Sequence, residues 1–150
     1  MRVVIQRVNF ASVEINKKIH SSIEKGLLIL VGIETKDSIE DAEWLAKKIA
    51  LLRIFDDEAG LMNKSILETG GDILVVSQFT LHAQTKKGNR PSYIKAAKQE
   101  VSLPLYHEFC KILSHKINKE VSKGVFATDM NIQLENNGPV TIIIDSKNKE

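Results

Sequence analysis

The chain has 150 residues, 43% of them hydrophobic and 27% charged, and its formal charge of +2 is too small by itself to announce a nucleic-acid partner. That length supports one domain with its own core, and the single cysteine, Cys110, excludes an internal disulfide and fits a reducing compartment. No apolar run approaches a bilayer span, and Met1-Arg2 opens onto strand-like sequence without a secretory leader, so a soluble cytoplasmic protein with no membrane partner is expected.

Residues 1–33 read as β. Ala11, Val13 and Ile15 alternate with Ser12, Glu14 and Asn16, the period of a half-buried strand. Lys17-Lys18 marks a turn, and a strand returns through about Ile23. Leu27 to Val31 is continuously apolar between Gly26 and Gly32, as in a strand covered on both faces, although periodicity alone leaves a buried helix open. The period then changes. Asp37 or Ser38 can cap a helix with Glu40 and Asp41 in its first turn, and Ile39, Ala42, Leu45, Ala46, Ile49 and Leu52 form its stripe.

Arg53-Ile54-Phe55 starts another strand, followed by Asp56, Asp57, Glu58 and Gly60. Their spacing lacks the alternating ligands and final Glu of a calcium loop, so a solvated acidic turn is expected. Gly70-Gly71 precedes a buried strand, Ile73 to Val76. Residues 84–95 read as a mobile basic loop, and a second helix runs from near Ser102 to Asn118, with Pro104 tolerable only in its first turn. Met130, Ile132 and Leu134 mark a strand. Asn136-Asn137 turns the chain into a last one, Val140 to Ile144, before a tail frayed from about Ser146. This order fits one α+β domain over 1–150, with two main helices covering one side of a curved or paired sheet.

Conventional chemistry finds little support. Cys110 adjoins the apolar stripe of its helix, where a packed thiol outweighs a nucleophile. His107 and His115 lie eight residues apart, an awkward spacing for one metal. No HExxH, paired CxxC or Walker loop occurs, which argues against a metal or nucleoside-triphosphate enzyme.

Two short segments stand out instead. In Ser77-Gln78-Phe79-Thr80-Leu81, a strand would turn Ser77, Phe79 and Leu81 one way and Gln78 and Thr80 the other. The plain interpretation is the polar end of a core strand. The functional one makes backbone N–H groups near Phe79 and Thr80 donors to an oxyanion. Thr80 as nucleophile needs a base, and His82, on the same strand face, is the nearby candidate. The second segment, Asn136-Asn137-Gly138-Pro139-Val140-Thr141, places Gly-Pro between two strands. A trans turn is the ordinary expectation; a cis bond would redirect neighbouring carbonyls toward an ammonium group.

With these motifs the chain resembles the D-aminoacyl-tRNA deacylase family over essentially its whole length. Ile5 to Val13 is similar to its QRVxxASV opening, and Arg53 to Asn63 to its RxFxDxxGxMN stretch. Ser77 to Leu81 (SQFTL) and Asn136 to Thr141 (NxGPVT) are similar to its two signatures, and Gly88 to Tyr93 to a G-x-RPS-aromatic segment. The resemblance implies a homodimeric three-layer β/β/α fold, without a cofactor or metal. It implies hydrolysis of the ester joining a D-amino acid, or glycine, to the terminal adenosine of tRNA.

It also implies roles for residues. Ser77, Gln78, Phe79 and Thr80 would form the catalytic segment, while Gly138 and Pro139 would reach from the partner into the pocket to hold the substrate ammonium and exclude an L-side chain. Arg7 would fix that inserted segment, and Phe126 and Met130 would border the adenine. The RNA's own 2′-hydroxyl would assist water, leaving Thr80 a backbone contributor. Lys86, Lys87 and Arg90 are candidates for tRNA-phosphate contacts, with a solvated charged loop as the plain alternative and a structural role open for Arg90. Leu61, Asn137 and Thr128 depart from the commoner family pattern, which bears on affinity or substrate range more than on reaction type.

Overall fold

The computed structural model describes residues 1–150. Strand β1 (Arg2–Ile15) is its spine. One edge pairs antiparallel with β3 (Gly26–Gly32) over its first half and with β2 (Lys18–Ile23) over its second. The other edge carries β8 (Asn131–Asp145), also antiparallel. Beyond β3 the sheet continues through β6 (Asp72–Ser77) and β7 (Ser122–Lys123), both added in parallel. Ser21 Oγ on β2 donates to the Lys123 carbonyl on β7 at 2.9 Å. The sheet thereby curls until its far strands meet and nearly closes into a barrel.

Side-chain alternation explains the layers. On β3, Leu27, Ile29 and Val31 enter the larger core beneath the helices, while Leu28 enters a smaller core inside the curl. On β6, Ile73 and Val75 face the helices, and Leu74 and Val76 face inward. A strand buried on both faces has no polar side to alternate with, which is why Leu27 to Val31 is continuously apolar. Helices α1 (Ile39–Leu51) and α3 (Gln99–Ile117) form the third layer. A single-turn helix, α2 (Ile66–Thr69), and a small hairpin of β4 (Phe55–Asp56) and β5 (Met62–Lys64) complete the domain. No helix is long and apolar enough to cross a membrane.

Several expected boundaries move. The β1–β2 turn is centred on Asn16-Lys17, both at positive φ (51° and 62°), the geometry that matches a tight hairpin to strand twist. Ser38 caps α1, and the Asp41 carboxylate accepts its N–H at 2.9 Å. Helix α3 starts at Gln99, three residues earlier than its apolar stripe indicates, so Pro104 sits in the second turn and leaves the Glu100 carbonyl without its helical donor. The acidic turn is organised from within: Asp57 accepts from the Ala59 and Leu61 N–H groups and from Asn63 Nδ2. The Asn63 hydrogen bond is the main reason its carboxyl lies below the ordinary range. The C-terminal tail begins pinned: Ser146 is buried, its N–H donates to the Met1 carbonyl, and Lys147 Nζ reaches Asp41 at 2.7 Å.

Candidate active site

The parallel pairing of β3 with β6 brings two strand ends together, with Val31 opposite Ser77. The ladder extends one residue further, through Gln78 N–H to the Val31 carbonyl at 2.8 Å. There the strand stops. Phe79–His82 form a 3-10 turn, in place of the continued strand that the alternation of Ser77 to Leu81 indicates. Tertiary contacts impose the turn. Arg2 Nη1 donates to the Leu81 carbonyl at 2.8 Å, and Leu81 and His82 pack against Gly32. A Cβ on Gly32 would lie 3.0 Å from the Gln78 carbonyl oxygen, His82 Cδ2 and Leu81 Cβ, so glycine permits this close approach.

The turn alters the chemistry of the segment. Phe79 and Thr80 open it, so the turn supplies no acceptor for their N–H groups, which are free to serve an outside oxygen. Thr80 Oγ1 accepts from Gln78 Nε2, which braces the turn. His82 does not share a face with Thr80: it is buried, with Nδ1 3.9 Å from Glu34 Oε2 and Nε2 without a partner in the chain. The Thr80–His82 pairing weighed on strand geometry is therefore corrected by the helical turn. Cys110 is also removed from consideration, because burial pushes its thiol up to about 12.

A cavity of about 480 Å³ opens beside the turn. Ser77, Gln78 and Phe79 line one wall, and Phe126 and Met130 another, so five residues singled out in the sequence converge. Val31, Ile33, Ala97, Gln99 and Ser102 also line it. Sequence reasoning misses these, because Val31 reads only as part of a covered strand, Ile33 only as the end of the β region, and a helix starting near Ser102 leaves Gln99 outside it. The Phe126 ring is braced by Tyr106, 5.5 Å away, whose hydroxyl donates to the Val75 carbonyl at 3.0 Å.

Arg7, Gly138 and Pro139 lie elsewhere. Thr141 pairs with Gln6, and Asn136 with Val8, so residues 137–140 of β8 stand against Arg7 alone. They form a wide bulge. Asn136 does not reverse the chain: both halves of β8 run antiparallel to the same edge of β1, which corrects the expected pair of strands. Gly138-Pro139, joined by a cis peptide bond, is exposed on this bulge and does not line the cavity of its own chain.

Two side chains hold the bulge. Arg7 is only 5% exposed, and its guanidinium donates to the carbonyls of Asn137 (3.2 Å) and Ile54 (2.8 Å) and to Asp56 (3.2 Å). Asn136 Nδ2 bridges the neck, donating to the Arg7 carbonyl at 3.0 Å and the Val140 carbonyl at 3.2 Å. Asn136 belongs to a motif noted in the sequence, yet only the bulge gives its side chain a function. A Cβ on Gly138 would meet nothing nearer than Asn136 Oδ1 at 3.5 Å, an ordinary contact, so the chain's own packing does not demand glycine there.

Lys86, Lys87 and Arg90 are exposed on the loop after the turn. The loop expected to be mobile is closed at its base, where Gln84 and Ser92 exchange backbone hydrogen bonds of 2.8 and 3.0 Å.

Comparison with known proteins bears on family and fold. A family model described as D-Tyr-tRNA(Tyr) deacylase matches residues 4–145. A D-aminoacyl-tRNA deacylase of Bacteroides thetaiotaomicron is 66% identical over 150 residues, covering 100% of both chains. Another from Porphyromonas gingivalis is 58% identical with the same coverage. Among solved structures, a c-Myc DNA Unwinding Element Binding Protein superposes with a TM-score of 0.92 at 35% identity, over 97% of this chain and 98% of its own. A probable eukaryotic D-amino acid tRNA deacylase gives 0.82 at 18% identity, over 95% and 97%, and supports the fold alone. With the family model spanning nearly every residue and full-length relatives at this identity, the chain belongs to the D-Tyr-tRNA(Tyr) deacylase family.

Proposed function

We propose that this protein is a D-aminoacyl-tRNA deacylase that hydrolyses the ester of D-aminoacyl-tRNA, and of glycyl-tRNA, in the cytoplasm, and that it works as a homodimer. The observation that carries this mechanism is the division of polar backbone between two places. The turn that brings Phe79 to the cavity wall opens on two N–H groups for which it supplies no acceptor, whereas Gly138-Pro139 is held on an exposed bulge away from that cavity.

A second copy brings them together. Gly138 and Pro139 of the partner enter the cavity, and their carbonyls accept the substrate ammonium. Phe126 and Met130 flank the terminal adenine. The ester carbonyl lies against the turn, where N–H groups of Phe79 and Thr80 stabilise the negative charge as water attacks. The acyl C–O bond to the ribose breaks, the water oxygen remains in the carboxylate, and a proton passes to the ribose oxygen. The neighbouring 2′-hydroxyl of the RNA positions the attacking water. An aminoacyl ester is already activated, so no strong side-chain base is required.

Stereochemistry follows from exclusion. An L-side chain projects into the inserted Gly-Pro wall, while hydrogen or a D-side chain points outward. Lys86, Lys87 and Arg90 contact tRNA phosphates. β8 supports a dimer because its edge opposite β1 is free and carries exposed apolar residues, including Leu134 and Ile143.

The test is a deacylation assay on matched D-, L- and glycyl-tRNA. Cleavage of the D- and glycyl-esters with the L-ester spared is expected. Preferred cleavage of the L-ester would indicate a sibling deacylase. RNA binding without hydrolysis would favour a non-catalytic nucleic-acid-binding module, the class suggested by the name of the structure at 35% identity.

A further inference from the structure

The segment between the 3-10 turn and α3, residues 83–98, carries Lys86, Lys87, Arg90, Lys95 and Lys98 and no Asp or Glu. These five cations exceed the formal charge of the whole chain, +2, so the rest of the molecule is net negative. The segment is anchored at three points: the Gln84–Ser92 bridge ties its first half, the Thr35 N–H donates to the Lys95 carbonyl at 3.3 Å, and the Ala97 N–H donates to the Ile33 carbonyl at 2.9 Å. Between these anchors sit Tyr93 and Ile94. The Tyr93 ring meets Phe79 in an edge-on pair, 5.1 Å between centroids, and Phe79 lines the cavity. Phe79 remains 57% exposed and Ile94 82% exposed.

A half-exposed aromatic pair and an apolar neighbour, on a segment whose charged residues are all cations and beside the cavity that Phe79 lines, match the chemistry of unpaired RNA. Cations follow its phosphates and ring faces take its bases. A second copy docking this patch against itself would bring five cations against five, which disfavours that occupant. We propose that Tyr93 and Ile94, framed by these cations, form a platform for the single-stranded 3′ end of tRNA, with Tyr93 stacking on the nucleotide that precedes the terminal adenosine. The platform's catalytic use rests on the deacylase activity proposed above. Its RNA contact does not.

The experiment uses the full-length protein with two substrates, D-aminoacyl-tRNA and D-aminoacyl-adenosine, which lacks the preceding nucleotides. Tyr93→Ala is expected to raise KM for the tRNA about tenfold more than for the adenosine ester, the scale of one lost base stack. Tyr93→Phe should restore it. Equal loss on both substrates would mean that Tyr93 only buttresses Phe79, and would overturn the platform. So would a change of oligomeric state accounting for the loss. Should Tyr93→Ala fold poorly, Lys86→Gln and Arg90→Gln serve instead, each flattening the log–log salt dependence of tRNA binding by about 0.7; an unchanged slope for both counts against the platform. Binding of uncharged tRNA, followed by fluorescence anisotropy, separates the two proposals. Tyr93-dependent binding without hydrolysis overturns the activity and keeps the platform. Hydrolysis with Tyr93-independent binding does the reverse.

Discussion

The turn at Phe79–His82 and the bulge at residues 137–140 are both places where a strand stops behaving as a strand, but they do so in opposite senses. The turn is drawn inward: Gly32 admits it, Arg2 holds its Leu81 carbonyl, and His82 is buried beneath it. Its opening N–H groups are left beside a cavity. The bulge is pushed outward, and Arg7 and Asn136 replace the ladder bonds it forfeits. One region carries unpaired donors on a turn whose first residue lines a cavity, the other an exposed tip. A site assembled from both requires two protomers, because each chain keeps its own tip away from its own cavity.

The strongest way to break this comparison is Gly138→Ala. Nothing within the chain opposes the added methyl, so the thermal midpoint should stay near wild type. Deacylation should nevertheless fall about 100-fold, the scale of an ångström-sized misplacement at the reacting centre. Wild-type activity in this variant would show that the tip never enters a partner's cavity.

Asn136→Asp sharpens the same region with a smaller effect. It removes two donated hydrogen bonds and sets a carboxylate against the carbonyls of Arg7 and Val140, a loss of about 2 kcal/mol. Those carbonyls raise the introduced group's folded pKa above its unfolded value of about 3.9. Its protonated form is therefore the one compatible with the fold, and the penalty should be least below that value and grow as pH rises through the folded pKa. Chemical denaturation from pH 3.5 to 7 measures it, with wild type as reference. A gap that does not widen with pH would dismiss the two-carbonyl bridge.

Thr80→Val probes the turn and should do least. Its hydroxyl braces Gln78 and has no base beside it, so kcat should drop by about tenfold or less, against the 10²–10⁴ typical of a lost acid–base group. A dead but folded variant would return the hydroxyl to the chemistry.

Much of this was legible in the chain because the signals are local. The stripe of Ile39 to Leu52, with Asp37 or Ser38 as its cap, located α1, and the unbroken apolar run at Leu27 to Val31 suggested a strand with two buried faces while leaving a buried helix open. Both deviant strands were misread for the same reason. Ser77 to Leu81 keeps a two-residue alternation past the point where the strand ends, and Asn-Asn-Gly-Pro is a strong turn signal although the chain does not reverse. Local pattern reports what a segment prefers in isolation, whereas both outcomes depend on distant partners.

By itself the sequence determined which segments are apolar, where helices begin to be favourable, and which motifs place the chain in its family. Those properties are carried by neighbours within a few residues. Only the tertiary structure decided that Phe79–His82 coils, that residues 137–140 bulge, and that Gln99 reaches the cavity. These depend on Arg2 meeting Leu81, Arg7 meeting Asn137, and β3 ending beside β6, contacts between groups some 45 to 130 residues apart in the chain.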